Sequence, residues 1–274
     1  MWYQGGKSKI AKWIIEAFPK HRCYVEVFGG GASVLLTKER SKVEVYNDVY
    51  KQIVIFFRYL RNSPEELKEY LLNLPFSRVE HDRLQKLLLN GELEEELEIA
   101  SSIFFLSFSS FSGELSSNFS PSIVRNKALN YYVNTNDLER FSERFRGVAI
   151  ECLDFRECIK KYDSSETLFY CDPPYLERKQ GYYQVPFNYR DHRDLAKILN
   201  VIEGLVVVSH FESEEIRELY PEPRWVVLEK DVSVSTSFWK GMNKRPRVKE
   251  LLFLNFKSDK LGERRRKELK EVFC

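Results

Sequence analysis

Thr167-Leu168-Phe169-Tyr170-Cys171-Asp172-Pro173-Pro174-Tyr175 is the stretch on which the fold of this chain turns. Its first five residues are apolar or β-forming and read as a short buried strand. Two successive prolines lack backbone N–H groups and fix φ, so no ladder continues through them. The strand therefore ends at Asp172, and a stiff turn presents one carboxylate, two donor-free peptide units and the Tyr175 ring. Such a set suits an exocyclic amine on a nucleobase, whose lone pair is delocalised into the ring. Asp172 and the Pro173 carbonyl could accept hydrogen bonds from the amine, while Tyr175 could stack on the base. Acceptors pre-organised in this way act electrostatically on the reacting centre. A plain strand end with a capping Asp is the competing interpretation, and the flanking sequence has to decide.

Upstream, residues 23–28 form an apolar run of strand character, and Gly29-Gly30-Gly31-Ala32-Ser33 then opens a helix. Strand, glycine turn and helix are how an open parallel sheet presents its carboxyl edge to a nucleotide-like ligand. The full GxGxxG pattern is absent, because Val34 stands three residues after Gly31. A second strand over 42–46 ends at Asn47-Asp48, roughly 20 residues past the glycines, where a carboxylate can take ribose hydroxyls. Asp48 could equally cap the next helix. Together, the glycine turn and the acidic residue favour a nucleoside-containing cofactor. Nearer the start, Gly5-Gly6-Lys7-Ser8 is not a P-loop, since the first glycine of that pattern would fall on Met1. It still predicts a helix over 8–18, either an ordinary helix start or an anion-friendly N-terminus with Lys7 as a point charge, and taken alone the ordinary start is favoured.

Between the second strand and the proline turn the periodicity changes. Helical patterns cover 64–74, 77–90 and 92–108, and a polar loop with aromatics follows over 109–121, then Arg125 and Lys127. This predicts a helical insertion ending in a loop that could touch phosphates and bases, or an ordinary surface loop. The sheet resumes at 147–151, passes through Leu153-Asp154-Phe155, and continues after the proline turn with strands over 205–209, 225–231 and 247–256. The last two flank a basic loop and are expected to pair antiparallel.

The 274 residues carry 43 Lys and Arg against 41 Asp and Glu, so any nucleic-acid contact must come from local clustering rather than net charge. No apolar run is long enough to span a bilayer, and the start has no signal-peptide form. The five cysteines are odd in number and lack CxxC spacing, which excludes a disulfide framework and a zinc site and fits a reducing cytoplasm.

Taken together, these motifs resemble the Dam-like α-group of adenine-N6 DNA methyltransferases, which use S-adenosylmethionine. Tyr3 with Gly5-Gly6-Lys7 is similar to the family's N-terminal cofactor motif, and 26–31 resembles its E-P-F-x-G-x-G element with Val27 in place of proline. Asn47-Asp48 matches the ribose-binding position, Asp154-Phe155 the pair beside the cofactor adenine, and 172–175 the catalytic motif. Phe111-Ser112-Gly113 and Asn118-Phe119 resemble segments near the target-recognition region. There Ser112 replaces Asn and Ser120 interrupts the proline spacing, so the target sequence does not transfer.

The resemblance implies an α/β fold: a Rossmann-like, doubly wound methyltransferase sheet with an antiparallel final strand and an inserted helical target-recognition domain. The catalytic domain would comprise 1–60 and 146–274, and the insertion 61–145. Asp172, Pro173, Pro174 and Tyr175 would act on the amine. Tyr3, Lys7, Phe28, Gly29, Gly31, Asp48, Asp154, Phe155 and Asp172 would hold S-adenosylmethionine, without a metal. Phe111, Asn118, Arg125, Lys127, Lys244 and Arg245 are the candidate DNA contacts. The expected partner is double-stranded DNA with its target base flipped out, in the cytoplasm and not at a membrane, with a cognate restriction endonuclease as a further partner. Cytosine-N4 transfer, an RNA substrate and a catalytically silent DNA-binding subunit are the rival functions.

Overall fold

A computed structural model describes residues 6–176, 184–233 and 247–257. Tyr3, Lys244, Arg245 and the closing charged segment lie outside the described residues. In chain order the elements are α1 (Ala11–Glu16), β1 (Cys23–Glu26), α2 (Ser33–Thr37), β2 (Val43–Asn47), α3 (Lys51–Asn62), α4 (Pro64–Asn73), α5 (Arg78–Asn90) and α6 (Glu96–Ser109). Then follow α7 (Lys127–Asn136), α8 (Leu138–Phe145), β3 (Val148–Glu151), α9 (Phe155–Tyr162), β4 (Thr167–Cys171), α10 (Tyr189–Leu199), β5 (Leu205–Phe211), α11 (Glu214–Leu219), β6 (Val226–Ser233) and β7 (Arg247–Leu254).

The seven strands form one sheet in the order β3-β2-β1-β4-β5-β7-β6. The first five run parallel, and β7 lies antiparallel between β5 and β6. The expected antiparallel pair is therefore present, and the later strand is inserted inside the earlier one. Side chains alternate between two cores. Tyr24, Tyr46, Leu168, Tyr170 and Leu252 point to one face, whereas Val25, Val45, Phe169, Cys171 and Phe253 point to the other. Both faces are covered by helices, so the strands read as continuous apolar runs rather than as half-polar alternation. α9, α10 and α11 pack on the second face.

The insertion does not stand apart from the sheet. One core cluster runs from α1 and α2 through Tyr46, Phe57 and Phe145 to Phe104, Phe105 and Tyr131. Rings of Tyr46, Phe57 and Phe145 meet at 4.5–5.8 Å. A buried ion network adds to this: Glu44 on β2 accepts Lys38 at 2.6 Å and Arg144 of α8 at 2.5 and 2.9 Å.

Three differences from the sequence expectations have local causes. α1 begins at Ala11 rather than at residue 8, because 7–10 close a turn with Ile10 N–H donating to the Lys7 carbonyl. The helices between β2 and β3 continue past the polar loop as α7 and α8, where the periodicity predicts no helix. The loop itself is a tight hairpin: Ser110 bridges Phe119, and Ser120 N–H donates to the Ser109 carbonyl at 2.8 Å.

Candidate active site

The strand order reverses between β1 and β4, which is where ligands sit in open α/β sheets, beyond the carboxyl ends of the strands. Glu26 of β1 is in register with Tyr170 of β4, so the glycine turn and the proline turn leave the sheet side by side. Between them lies a cavity of about 360 Å3, within the range of small-ligand pockets. Its walls include Lys7, Phe28, Gly29, Gly31, Asp48, Asp154, Phe155, Asp172, Pro174 and Tyr175, thus most of the residues chosen from the sequence. Pro173 is buried and is not among the lining residues.

Lys7 reaches both Asp172 oxygens, 2.7 Å to Oδ1 and 2.8 Å to Oδ2. Ser209, on β5, donates to Oδ1 at 3.0 Å. The same ammonium lies 4.6 Å above the Tyr175 ring and 3.8 Å from Glu250 on β7. Tyr175 is only 7% exposed; its hydroxyl donates to Glu250 at 2.6 Å. Burial raises the Glu250 carboxyl above the usual range, with the Lys7 charge opposing that shift. Ser209 and Glu250 were not legible as site residues: Ser209 ends a run of apolar residues within β5, and Glu250 follows Lys249 in β7 like an ordinary charged strand residue.

The glycine turn has a different physical reason from the one its sequence suggested. A Cβ on Gly29 would lie 2.2 Å from the Tyr46 ring, so the residue is glycine because Tyr46 packs on it. The Tyr46 hydroxyl in turn donates to the Gly30 carbonyl at 2.8 Å. Asp48 ties the turn to the start of α3, accepting Gly30 N–H on one oxygen and Tyr50 N–H on the other, both at 2.8 Å. It is therefore no helix cap; Tyr50 occupies that position. Each of its oxygens keeps acceptor capacity for a ligand hydroxyl.

Asp154 caps α9 by accepting Arg156 N–H at 2.9 Å. Arg156 stacks 4.3 Å from the Phe155 ring centre and bonds Asp191 and Asp194. Phe28, Phe155 and Phe187 meet pairwise at 5.5–5.7 Å and make an aromatic wall. Phe187 carried no motif signal in the sequence.

In the insertion, Phe111 and Arg125 are exposed. Asn118 contributes its backbone carbonyl to Phe111 N–H. The Lys127 ammonium donates to the Ser110 carbonyl at 3.0 Å and so braces the hairpin from inside. Ser112, with φ of 57° in the left-handed region, brings the insertion into the cavity wall. Non-glycine residues held there mark over-determined, commonly functional positions.

The lining fits a cationic nucleoside ligand. Asp48, Asp154, Asp172, Asp191 and Glu250 outnumber Lys7, Lys9 and Arg156 on the walls, next to aromatic rings and a glycine turn. Among the described residues no cluster of His, Cys, Asp and Glu is arranged to hold a metal, and no described helix is long and apolar enough to cross a membrane.

A mostly parallel seven-stranded sheet with this cavity at its switch point has the form of a methyltransferase. The model of the D12 class N6 adenine-specific DNA methyltransferases matches residues 3–234, and the chain belongs to that family. It is 25% identical over 224 residues to the modification methylase StsI of Streptococcus sanguinis, a match covering 74% of this chain and 33% of that protein. It is 24% identical over 238 residues to the type II methyltransferase M1.LlaDCHI of Lactococcus lactis subsp. cremoris, covering 80% and 83% of the two chains. The chain thus spans about a third of the first relative and most of the second.

Proposed function

We propose that this protein transfers a methyl group from S-adenosylmethionine to the N6 amine of adenine in double-stranded DNA, with the base turned out of the stack to reach the cavity. The observation that carries this reading is the Asp172 carboxylate on the cavity wall, held by Ser209 and Lys7. The two relatives are named as a modification methylase and a type II methyltransferase, which favours a modification role; a cognate restriction endonuclease as partner and a cytoplasmic location belong to the same proposal.

Phe28, Phe155 and Phe187 would face the cofactor's purine, Asp48 its ribose hydroxyls, and the glycine turn and acidic wall its remaining groups. When bound, S-adenosylmethionine supplies a methyl group on a positively charged sulfur. The protein's own task is to make the amine nucleophilic. Asp172 accepts an amine N–H and draws the nitrogen lone pair out of conjugation, toward the methyl group. Ser209 keeps Oδ1 fixed, which leaves Oδ2 for the amine once Lys7 withdraws. Glu250, 3.8 Å from the ammonium, gives Lys7 a second anionic partner. The same withdrawal uncovers the Tyr175 face on which the base would stack. Pro173 and Pro174 stiffen the turn that carries Asp172.

Incubation with methyl-labelled S-adenosylmethionine and mixed genomic DNA, then nucleoside digestion and mass spectrometry, tests this function. Label is expected in N6-methyladenine, with Asp172→Ala lowering the rate at least about a thousand-fold and weakening cofactor binding far less. Near-normal transfer by Asp172→Ala would remove Asp172 from its role. Label in N4-methylcytosine would overturn the base.

A further inference from the structure

Behind the proline turn lie two buried histidines that the chemistry above does not use. His192 on α10 and His210 on β5 are both fully buried. His192 Nε2 is 2.9 Å from the Pro174 carbonyl oxygen, which can only accept, so Nε2 carries the proton. Its Nδ1 is buried without a hydrogen-bond partner, as suits a bare lone pair and not an N–H. His210 has the opposite arrangement. Its Nδ1 is 2.8 Å from the Phe211 carbonyl and must donate, and Nε2 accepts the Leu176 N–H at 3.4 Å. Each ring is therefore fixed in one neutral tautomer by a partner with no choice of role.

The two contacts fall on either side of one residue. Pro174 precedes Tyr175 and Leu176 follows it, so the peptide groups flanking the ring are gripped from two different elements. The rings also touch each other edge to face, with centroids 5.3 Å apart, and His210 lies 4.4 Å from the Tyr175 ring. On its far side His192 meets Phe187 of the aromatic wall at 4.7 Å. A packed path thus runs from that wall through His192 to the proline turn, and through His210 to Tyr175.

We infer that His192 and His210 are positioning residues for methyl transfer: a tautomer-locked pair that clamps the backbone on both sides of Tyr175 and so holds the proline turn against the cavity. This rests on the transfer reaction proposed above. The need for such a clamp follows from the turn itself. Pro173 and Pro174 have no N–H, so the middle of the turn has no backbone donors with which to tie itself to the sheet. Side chains tie Asp172 to Ser209 and Tyr175 to Glu250; the backbone on either side of Tyr175 is held at the Pro174 carbonyl and the Leu176 N–H, and each meets a histidine. Burial keeps both imidazoles neutral, pulling His192 down to about 4 and His210 to about 3.

Two measurements test the clamp. With imidazole-15N-labelled protein at neutral pH, long-range proton–nitrogen correlation spectra report the tautomer of each ring, and a chain with four histidines is simple to assign by substitution. His192 is expected as the Nε2–H form and His210 as the Nδ1–H form; the reverse tautomer or an imidazolium at either position overturns the proposal. In single-turnover methylation, His192→Phe keeps a ring but loses the donor, and is expected to lower the rate constant at least ten-fold with cofactor and DNA dissociation constants within three-fold of wild type. His192→Gln, which restores an N–H near the Nε2 position, is expected to recover most of the rate. A rate unchanged in His192→Phe, or lost equally in His192→Gln, overturns the positioning role. Should His192→Phe fail to fold, His210→Phe, which loses the acceptor for Leu176 N–H, is expected to lower the rate constant in the same way, and an unchanged rate overturns the proposal. If wild type itself transfers no methyl group while the tautomers are as stated, the transfer reaction is at fault and not the clamp.

Discussion

At the scale of single residues, Gly29 is the position where sequence and structure give different reasons for the same amino acid. The glycine turn after β1, taken together with Asp48, favoured a nucleoside-containing cofactor, and the turn does line the cavity. What forbids a side chain at Gly29, however, is the Tyr46 ring, 2.2 Å from where a Cβ would stand. That neighbour is the flat face of a buried ring whose hydroxyl is already bonded to Gly30, so it has little room to give. Gly29→Ala should therefore destabilise the protein by about 2 kcal/mol, the usual cost of overpacking, and weaken cofactor binding by displacing the turn. Adding Tyr46→Leu should recover part of both losses. Thermal melts and cofactor titration of the single and double variants check this; strictly additive losses would mean that the ring is not the obstacle.

At the scale of elements, the strands and the catalytic turn were legible because they are punctuated by residues with one physical meaning. Proline pairs stop strands, glycine clusters make turns, and central strands are uniformly apolar. α7 and α8 were not legible. α7 is rich in Asn and Thr, which favour turns over helix interiors, and it leaves Leu129, Tyr132 and Val133 exposed instead of showing a buried stripe. Its start is fixed by the Asn126 side chain accepting Leu129 N–H, a local contact with no periodic signature. The 109–120 hairpin was likewise legible only as a loop, whether a recognition loop or a surface one, since what closes it comes from distant residues. Gln85 on α5 donates to the Leu115 and Ser117 carbonyls at 2.7 and 2.8 Å, His81 meets the Ser110 hydroxyl at 3.1 Å, and Lys127 braces its base. Gln85→Ala removes two of these supports, at about 1 kcal/mol each. Because the hairpin carries Ser112 into the cavity wall, the expected result is faster amide exchange over 111–118 and a several-fold weaker DNA affinity, with cofactor affinity unchanged. An unaltered exchange pattern would show that Gln85 does not hold the hairpin.

At the scale of the whole molecule, the buried titratable groups set how stability depends on pH. Glu26, at the end of β1, accepts the Tyr24 hydroxyl at 2.7 Å and Leu35 N–H at 2.8 Å, and burial raises its carboxyl from 4.5 to about 8. The folded state thus holds a proton that the unfolded chain gives up above pH 4.5. Stability from this group is complete below pH 4.5 and is lost as the pH rises toward about 8, at about 1.4 kcal/mol per pH unit in between. His192 and His210 act on the other side. Their folded pKa values lie near 4 and 3, below the ordinary 6.5, so their contribution is full above pH 6.5 and lost on acidification. Above pH 6.5 the histidine effect is flat and the fall due to Glu26 remains. Wild type should therefore melt at a lower temperature at pH 8 than at pH 6.5. Glu26→Gln keeps an oxygen to accept from Tyr24 and Leu35 without a proton to lose, so it should flatten that fall and exceed wild type at pH 8. Thermal melts of both proteins at pH 5, 6.5 and 8 decide the matter: parallel curves would mean that Glu26 is already ionised in the folded protein, with its charge balanced by the cations that line the cavity.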